Sequence, residues 1–238
     1  MQYKTELHMH TAEVSVCAKL TAPEMVERYL EAGYHTVVIT NHYSPTTADA
    51  MGADWSTERY LKGYRVMKEY AKGKLNVLLG AELRFCGMPN DYLLYGLTEE
   101  FLYAHPDLHK MTLEDFYPLA HENGILVIQA HPFRKGMCIC RPDMLDGIEV
   151  YNVSELPFRN HIALEWAQHY NMIGTSGSDL HDAKNVIGCG LLTDSPIETM
   201  EELVQILKSR TATLIRRSTD LTRSDLGDIP ATLEIQER

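Results

Sequence analysis

The segment ELHMHT, residues 6–11, sets two histidines one residue apart near the start of the chain. On a strand alternate side chains share a face, so His8 and His10 would point one way while Leu7 and Met9 point the other. Two imidazoles so placed can converge on one metal ion, since zinc takes imidazole nitrogen at about 2.0–2.1 Å. Taken alone, a motif this short favours the plainer reading of two polar residues near a terminus. Its meaning depends on what else reaches the same place. Further candidates are His42 in VVITNH, Glu82 in VLLGAE, His131 in LVIQAH, and Asp179 and His181 in IGTSGSDLH. Imidazoles mixed with carboxylates suit zinc, manganese or iron better than magnesium, which prefers oxygen ligands. Clustered ions of that kind support hydrolysis, because they supply hydroxide near neutral pH and neutralise charge on a displaced phosphoryl group. No Ser-His-Asp order and no G-x-S-x-G elbow competes with this, so water is the expected nucleophile.

These residues act together only if the fold gathers them. Apolar strands and amphipathic helices alternate along the chain. YKTELHMH predicts a strand, and TAPEMVERYLEAG a helix with Thr21 as N-cap and Glu24 three residues later. HTVVITNH, LNVLLGAELRF, DYLLYGL, ILVIQAH, GIEVYN, MIGTSGSD and TATLIRR read as further strands. STERYLKGYRVMKEYAKG, TLEDFYPLAHENG, NHIALEWAQHYN and IETMEELVQILKSR read as helices, with a short one at EEFLY. Repeated βα units of this kind predict a parallel sheet, either closed as a barrel or open and doubly wound. No G-x-G-x-x-G or G-K-[ST] follows a strand, which removes the best argument for a nucleotide fold.

On this map His8 and His10 end the first strand, His42 the second, Glu82 the third and His131 the fifth, while Asp179 and His181 follow the seventh. In parallel barrels that rim is where catalytic groups reside. His35, His121, His161 and His169 fall on or beside helices and read as surface or packing residues. The length of 238 residues suits a single domain over residues 1–216, with the polar tail 217–238 as a surface extension.

The formal net charge of −11 repels polyanions at long range, and no basic stripe interleaved with aromatics is present, so long nucleic acid is not the expected partner. Five scattered cysteines without a C-x-x-C pair suit reduced thiols; Cys138 and Cys140 read as incidental. Neither a signal peptide nor an apolar run of membrane-spanning length stands out, so a cytoplasmic protein without a membrane partner is expected.

Six segments, ELHMHT, PEMVERYLEAGYHTVVITNH, GAELRF, QAHPFR, GIEVYN and GSDLHD, occur in this order over roughly residues 6 to 190. Together they resemble the polymerase and histidinol phosphatase (PHP) family of metal-dependent phosphoesterases. The resemblance implies an α/β fold, a distorted (β/α)7 TIM-like barrel, whose site holds two or three divalent ions such as zinc, manganese or iron. Carried over, His8, His10, Glu82 and Asp179 would bind one ion. Glu82 would bridge to a second that His131 also holds, at a separation of about 3.5–4 Å, and His42 with His181 would bind a third. Glu82, Asp179 and His181 are the implied catalytic residues, with Asp179 or His181 protonating the leaving group.

The chain also departs from the family pattern. Glu6 replaces an aspartate before H-x-H, and Asn41 replaces the aspartate of T-D-H, which alters how a ligand imidazole can be oriented. The usual S-D-G is missing, and Glu13 in HTAEVS is the candidate acidic ligand for the third ion. The second ion lacks an obvious further ligand; Asp91, Tyr92 and, in reserve, His105 are the choices. Arg134 in AHPFR and Arg84, which shares the face of Glu82, are the cations expected to grip substrate phosphate; Lys135, Arg141 and Arg159 are weaker choices.

The implied activity is hydrolysis of a small phosphomonoester, such as histidinol phosphate or another metabolite. The alternative is a nucleotide or short-oligonucleotide phosphoesterase or exonuclease. Amidohydrolases also begin with H-x-H but add a bridging lysine where this chain offers Glu82. A non-catalytic PHP scaffold is at odds with the number of ligand positions that remain filled.

Overall fold

A computed structural model of the protein describes residues 2–44 and 55–216, so the expected extension 217–238 lies outside the described residues. Strand β1 (Tyr3–Glu6) pairs in parallel with β2 (Thr36–Ile39), and β2 with β4 (Asn76–Leu79). The ladder breaks at residues 40–41 and at Gly80, then resumes where β3 (His42–Tyr43) lies parallel to β5 (Ala81–Arg84). The Tyr60 hydroxyl lies 3.1 Å from the carbonyls of both Asn41 and Gly80 and can donate to either, which serves the acceptors the break would otherwise strand.

Next in the sheet come β6 (Asp91–Tyr95), β7 (Leu126–Gln129), β8 (Gly147–Asn152) and β9 (Ile173–Gly177). β10 (Gly190–Thr193) and β11 (Thr213–Ile215) extend the first sheet beyond β1. Past β9 the chain returns to the end of β1. There Asp179 N–H donates to the His8 carbonyl at 2.8 Å and His10 N–H to the Leu180 carbonyl at 3.1 Å, with a parallel bridge between Met9 and Leu180.

The sheets are mixed rather than wholly parallel. β6 runs antiparallel to both β5 and β7, because only residues 85–90 separate it from β5, too few for a crossover connection. β10, which runs antiparallel to β1 and β11, is a strand the hydropathy pattern does not mark.

Six helices connect the strands among the described residues: α1 (Ala22–Glu31), α2 (Thr57–Ala71), α3 (Glu99–Ala104), α4 (Leu113–Glu122), α5 (Pro157–His169) and α6 (Met200–Ser209). α1 begins as expected: the Thr21 side chain accepts from Glu24 N–H, the Glu24 carboxylate accepts from Thr21 N–H, and Met25, Val26 and Tyr29 face the core. α5 starts at Pro157, earlier than the pattern suggests, because proline suits the first helical position. β2 and β7 are buried along their whole length, which explains their continuous apolar runs. No helix of the described residues is long and apolar enough to cross a membrane.

Two glycines permit close approach. At Gly190, with φ +106°, a Cβ would stand 2.0 Å from the Thr5 carbonyl oxygen, so β10 can lie this near β1 only without a side chain. At Gly177, a Cβ would stand 2.3 Å from His8 Cβ and 2.5 Å from Glu149 Oε1. Gly177→Ala should therefore cost roughly 1–3 kcal/mol of stability through overpacking, read as a lower denaturant midpoint. An unchanged midpoint would mean that the end of β9 does not hold His8 in this way.

Candidate metal centre

The ends of the strands bring the candidate ligands to one rim. His8 and His10 follow β1, His42 opens β3, Glu82 lies in β5, His131 follows β7 and Asp179 follows β9. Because β6 is reversed, its first residue, Asp91, arrives at the same rim.

Glu82 is fully buried and stands among four imidazoles. Its Oε1 lies 2.9 Å from His131 Nε2 and 3.4 Å from His8 Nε2; its Oε2 lies 2.6 Å from His42 Nδ1 and 3.5 Å from His10 Nε2. Asp179 Oδ1 lies 3.2 Å from His10 Nε2 and 3.4 Å from His8 Nε2. Four overlapping triads result: His8–His10–Glu82, His8–His131–Asp179, Glu82–Asp91–His131 and His10–His42–His181. In each of them the potential ligand atoms lie within 4.8 Å of one another.

Other side chains fix the orientation of this cluster. Glu149, buried in β8, takes His8 Nδ1 at 2.9 Å on one oxygen, and His131 N–H at 3.0 Å with Asn152 Nδ2 at 2.9 Å on the other. That bond turns His8 Nε2 inward, as a carboxylate behind a ligand imidazole does. Glu6 does not touch the imidazoles at all: its Oε1 accepts the backbone N–H groups of Leu7, His8 and Ser178, pinning β1 to the segment after β9. Asn41 likewise serves the loop, accepting from Thr11 N–H at 2.7 Å and Ser15 Oγ at 3.0 Å, and Ser15 in turn lies 3.4 Å from His10 Nδ1. His131 (φ 28°) and Asp179 (φ 51°) both occupy the left-handed region, two of four non-glycine residues to do so among the described residues. Strain of this kind persists where the surroundings over-determine it.

The charges are strongly coupled. Burial alone would raise the Glu82 carboxyl, but the charges of His42 and His8 and the hydrogen bond from His131 hold it well below the usual carboxylate range. Asp179 behaves alike: burial is outweighed by His8, by the bond from His10 and by Arg134. Burial pushes His8 down, yet Glu149, Asp179 and Glu82 raise it well above the ordinary imidazole value; Glu82 does the same for His42. His10 goes the other way, lowered by burial and by the neighbouring His42 and His181. Asp91 is raised by burial and by the Glu82 charge, against the pull of Arg84.

Several sequence expectations are corrected here. Glu13 does not reach the His42–His181 pair: both its carboxylate oxygens accept the Ala22 N–H, at 2.9 and 3.1 Å, which caps the start of α1. Tyr92 turns to the opposite face of β6 from Asp91 and places its hydroxyl 3.0 Å from Cys140 Sγ. His105 ends α3 with its ring on Phe101, and no triad among the described residues includes it. Of the three candidates for the second ion, Asp91 is the one the fold brings to Glu82 and His131. Arg84 is committed to Asp91, through Nε at 2.6 Å and Nη2 at 2.5 Å. Arg134 binds Asp179 Oδ2 at 2.7 Å and pairs with Glu155.

Two participants escape the sequence reading. Glu149 has a signal, a lone carboxylate inside the apolar strand GIEVYN, which demands a buried partner. Cys17 has almost none. It is exposed, and although burial raises the thiol, the neighbouring His181 and His42 bring it down to about 6.

The donor set fits divalent ions. His8 Nε2 and His131 Nδ1 are buried with no hydrogen-bond partner, an arrangement that proteins avoid unless something else satisfies such atoms. His8, His10, Glu82 and Asp179 would hold one ion; Glu82, Asp91 and His131 a second; the His42–His181 pair a third.

Glu149→Gln keeps the shape of the side chain but removes the charge behind His8, and should weaken metal binding by roughly 10–100-fold. Competition with a chromophoric chelator measures this; unchanged affinity would sink the orienting role. Ligation also requires unprotonated nitrogens. Since His8 and His42 are raised and therefore hold protons near neutral pH, loading should release protons and affinity should fall as pH is lowered. Titration calorimetry in buffers of different ionisation enthalpy reads the sign, and proton uptake would contradict it.

No curated protein matches the chain in sequence. Among solved structures, a two-domain protein from Bacteroides vulgatus that contains a predicted PHP-like metal-dependent phosphoesterase superposes with a TM-score of 0.67 at 16% identity, over 92% of this chain and 68% of that one. An amidohydrolase from Chromobacterium violaceum, with bound sulfate and no metal, gives 0.56 at 14% identity, over 86% and 96%. A lesion-specific endonuclease from Pyrococcus furiosus gives 0.58 at 17% identity, over 88% and 56%. At these identities the likeness speaks for the fold alone. A model of the PHP domain family matches residues 6–213, and the chain belongs to that family.

Proposed function

We propose that the protein is a metal-dependent phosphoesterase that hydrolyses a small phosphomonoester, such as histidinol phosphate or a related metabolite. The observation that carries this reading is the buried Glu82 carboxylate shared by four imidazoles, with Asp91 and Asp179 on either side. Zinc, manganese or iron at such a centre would activate water and neutralise charge on the phosphoryl group. The chain's own residues do the rest. Asp179, held anionic, accepts the proton of the attacking water. Arg134, 29% exposed at the edge of the cluster, grips phosphate oxygens, a task its fork of N–H donors suits. Arg84 neutralises Asp91. His181 has Nδ1 on the Asp179 carbonyl at 2.8 Å, which leaves Nε2 to give a proton to the departing oxygen when no ion occupies the outer imidazole triad.

The bonds from Asp179 to His8 and from His10 to Leu180 support a ring running from β1 to β9 and back, the distorted (β/α)7 TIM-like barrel expected from the sequence, as one domain over residues 1–216. Five thiols without a disulfide support a cytoplasmic setting. A second reading, a nucleotide or short-oligonucleotide phosphoesterase, draws on the endonuclease neighbour; the net charge of −11 weighs against long polyanions.

The test is to assay the metal-loaded protein on histidinol phosphate, an aryl phosphate and a short 5′-phosphorylated oligonucleotide, with Glu82→Gln as control. The two monoesters should be hydrolysed, and the variant should lose roughly 100-fold or more of both metal affinity and rate. Cleavage of the oligonucleotide alone would transfer the assignment to the second reading.

A further inference from the structure

The turn after β8 sets an acid against the arginine that reaches the cluster. Glu155, whose side chain is 5% exposed, accepts from Arg134 Nε on one oxygen and from Arg159 Nη1, at 2.7 Å, on the other. Arg134 is held at a second point, because its Nη2 donates to Asp179 Oδ2 at 2.7 Å. Neither acid takes Nη1, so this nitrogen and the second N–H of Nη2 form the two-pronged edge that a phosphate would use.

The turn itself is fixed. Glu155 N–H donates to the Asn152 carbonyl at 3.0 Å and Ser154 N–H to Asn152 Oδ1 at 2.9 Å. Asn160, from α5, accepts the Asn152 N–H and donates to the Asn152 carbonyl, each at 3.0 Å. Ser154 Oγ donates at 3.1 Å to the carbonyl of Ser178, the residue before Asp179. Glu155 and Asp179 are thus carried by segments tied to each other, and Arg134 spans the two. An acid beside an anion site works against binding, but Arg159 on its second oxygen offsets this, so Arg134, Glu155 and Arg159 together keep a net positive charge. Burial alone would raise the Glu155 carboxyl, yet the bonds from Arg159 and Arg134 hold it below the usual carboxylate range.

We propose that Glu155 is the positioning residue of the phosphate grip: it fixes Arg134 through Nε with the outer edge of the guanidinium left for substrate, and Arg159 cancels the charge this acid would otherwise set against an anion. A long side chain already fixed in place loses less rotamer freedom when substrate binds. The inference rests on the reading of Arg134 as the group that grips phosphate.

Charge and positioning predict opposite signs. Glu155→Gln removes a negative charge from the neighbourhood of the phosphate, which by itself would tighten binding; loss of positioning weakens it. On the metal-loaded protein with an aryl phosphate, Glu155→Gln should raise KM roughly tenfold, the scale of one charge-assisted hydrogen bond, with kcat and metal affinity nearly unchanged. Glu155→Asp keeps the charge but shortens the reach, and should raise KM as well. In an Arg134→Ala background neither substitution should add a further rise, as expected of residues that act through one another. Calorimetric titration with inorganic phosphate should show the same ordering of affinities. An unchanged or lower KM in Glu155→Gln, an equal rise when Arg134 is already absent, or a loss of metal affinity in step with the KM change overturns the inference. If Arg134→Ala leaves KM and phosphate affinity unchanged, the reading of Arg134 fails and this inference with it. Should the wild type hydrolyse neither monoester, the functional reading fails while the phosphate titration still decides the role of Glu155.

Discussion

A carboxylate with no exposure to water, Glu82, faces nitrogens from four histidines that arrive from three different strand ends. Removing such a group from water costs several kcal/mol unless it is paired and hydrogen-bonded. The surrounding imidazoles provide that compensation, and they do so only while the strands hold them to it. The fold and the centre are therefore one problem: the strand ends must meet for the carboxylate to be tolerable, and the carboxylate with its imidazoles fills the space where they meet. Two buried acids behind the cluster make the register durable. Glu6 fastens β1 to the segment after β9 through three backbone N–H groups, and Glu149 fastens His8 to His131 through one carboxylate.

Both arginines near the centre are tied to acids of the centre, Arg84 to Asp91 and Arg134 to Asp179. This matters for a protein of net charge −11. The long-range field is negative, so the two guanidinium groups, each held by a buried acid, stand out as local positive charges beside the cluster. Glu155 extends the arrangement, holding Arg134 on one oxygen and Arg159 at 2.7 Å on the other.

Much of the centre was legible in the sequence because extended chain has a period of two. His8 and His10 face the site while Leu7 and Met9 lie in the core, although the regular strand ends at Glu6 and only a bridge at Met9 continues it. The strand-tip positions of Glu82, His131 and Asp179 follow from apolar runs that stop where the polar residue begins. Features that depend on competition between distant groups were not legible. Glu13 stands only three residues after His10, yet its carboxylate turns to the unsatisfied N–H at the start of α1. Cys17 is one thiol among five with no spacing to single it out. The reversal of β6 was implicit in the short link after β5, but alternation of strands and helices elsewhere masked it.

The irregularities of the backbone are not spread evenly. The β2–β3 and β4–β5 ladder breaks just before His42 and Glu82; β8 has a register shift at Glu149; His131 and Asp179 adopt left-handed conformations. A regular strand sends alternate side chains to opposite faces at fixed intervals, so it cannot by itself aim several groups at one point. Each break re-aims one ligand, or the acid behind it, at the cost of ladder hydrogen bonds or local strain. The compensation is visible nearby, in the Tyr60 hydroxyl at the carbonyls of Asn41 and Gly80 and in the Glu149 oxygen that takes His131 N–H. Regular structure sets the rim, and its local failures, individually repaired, set the geometry of the centre.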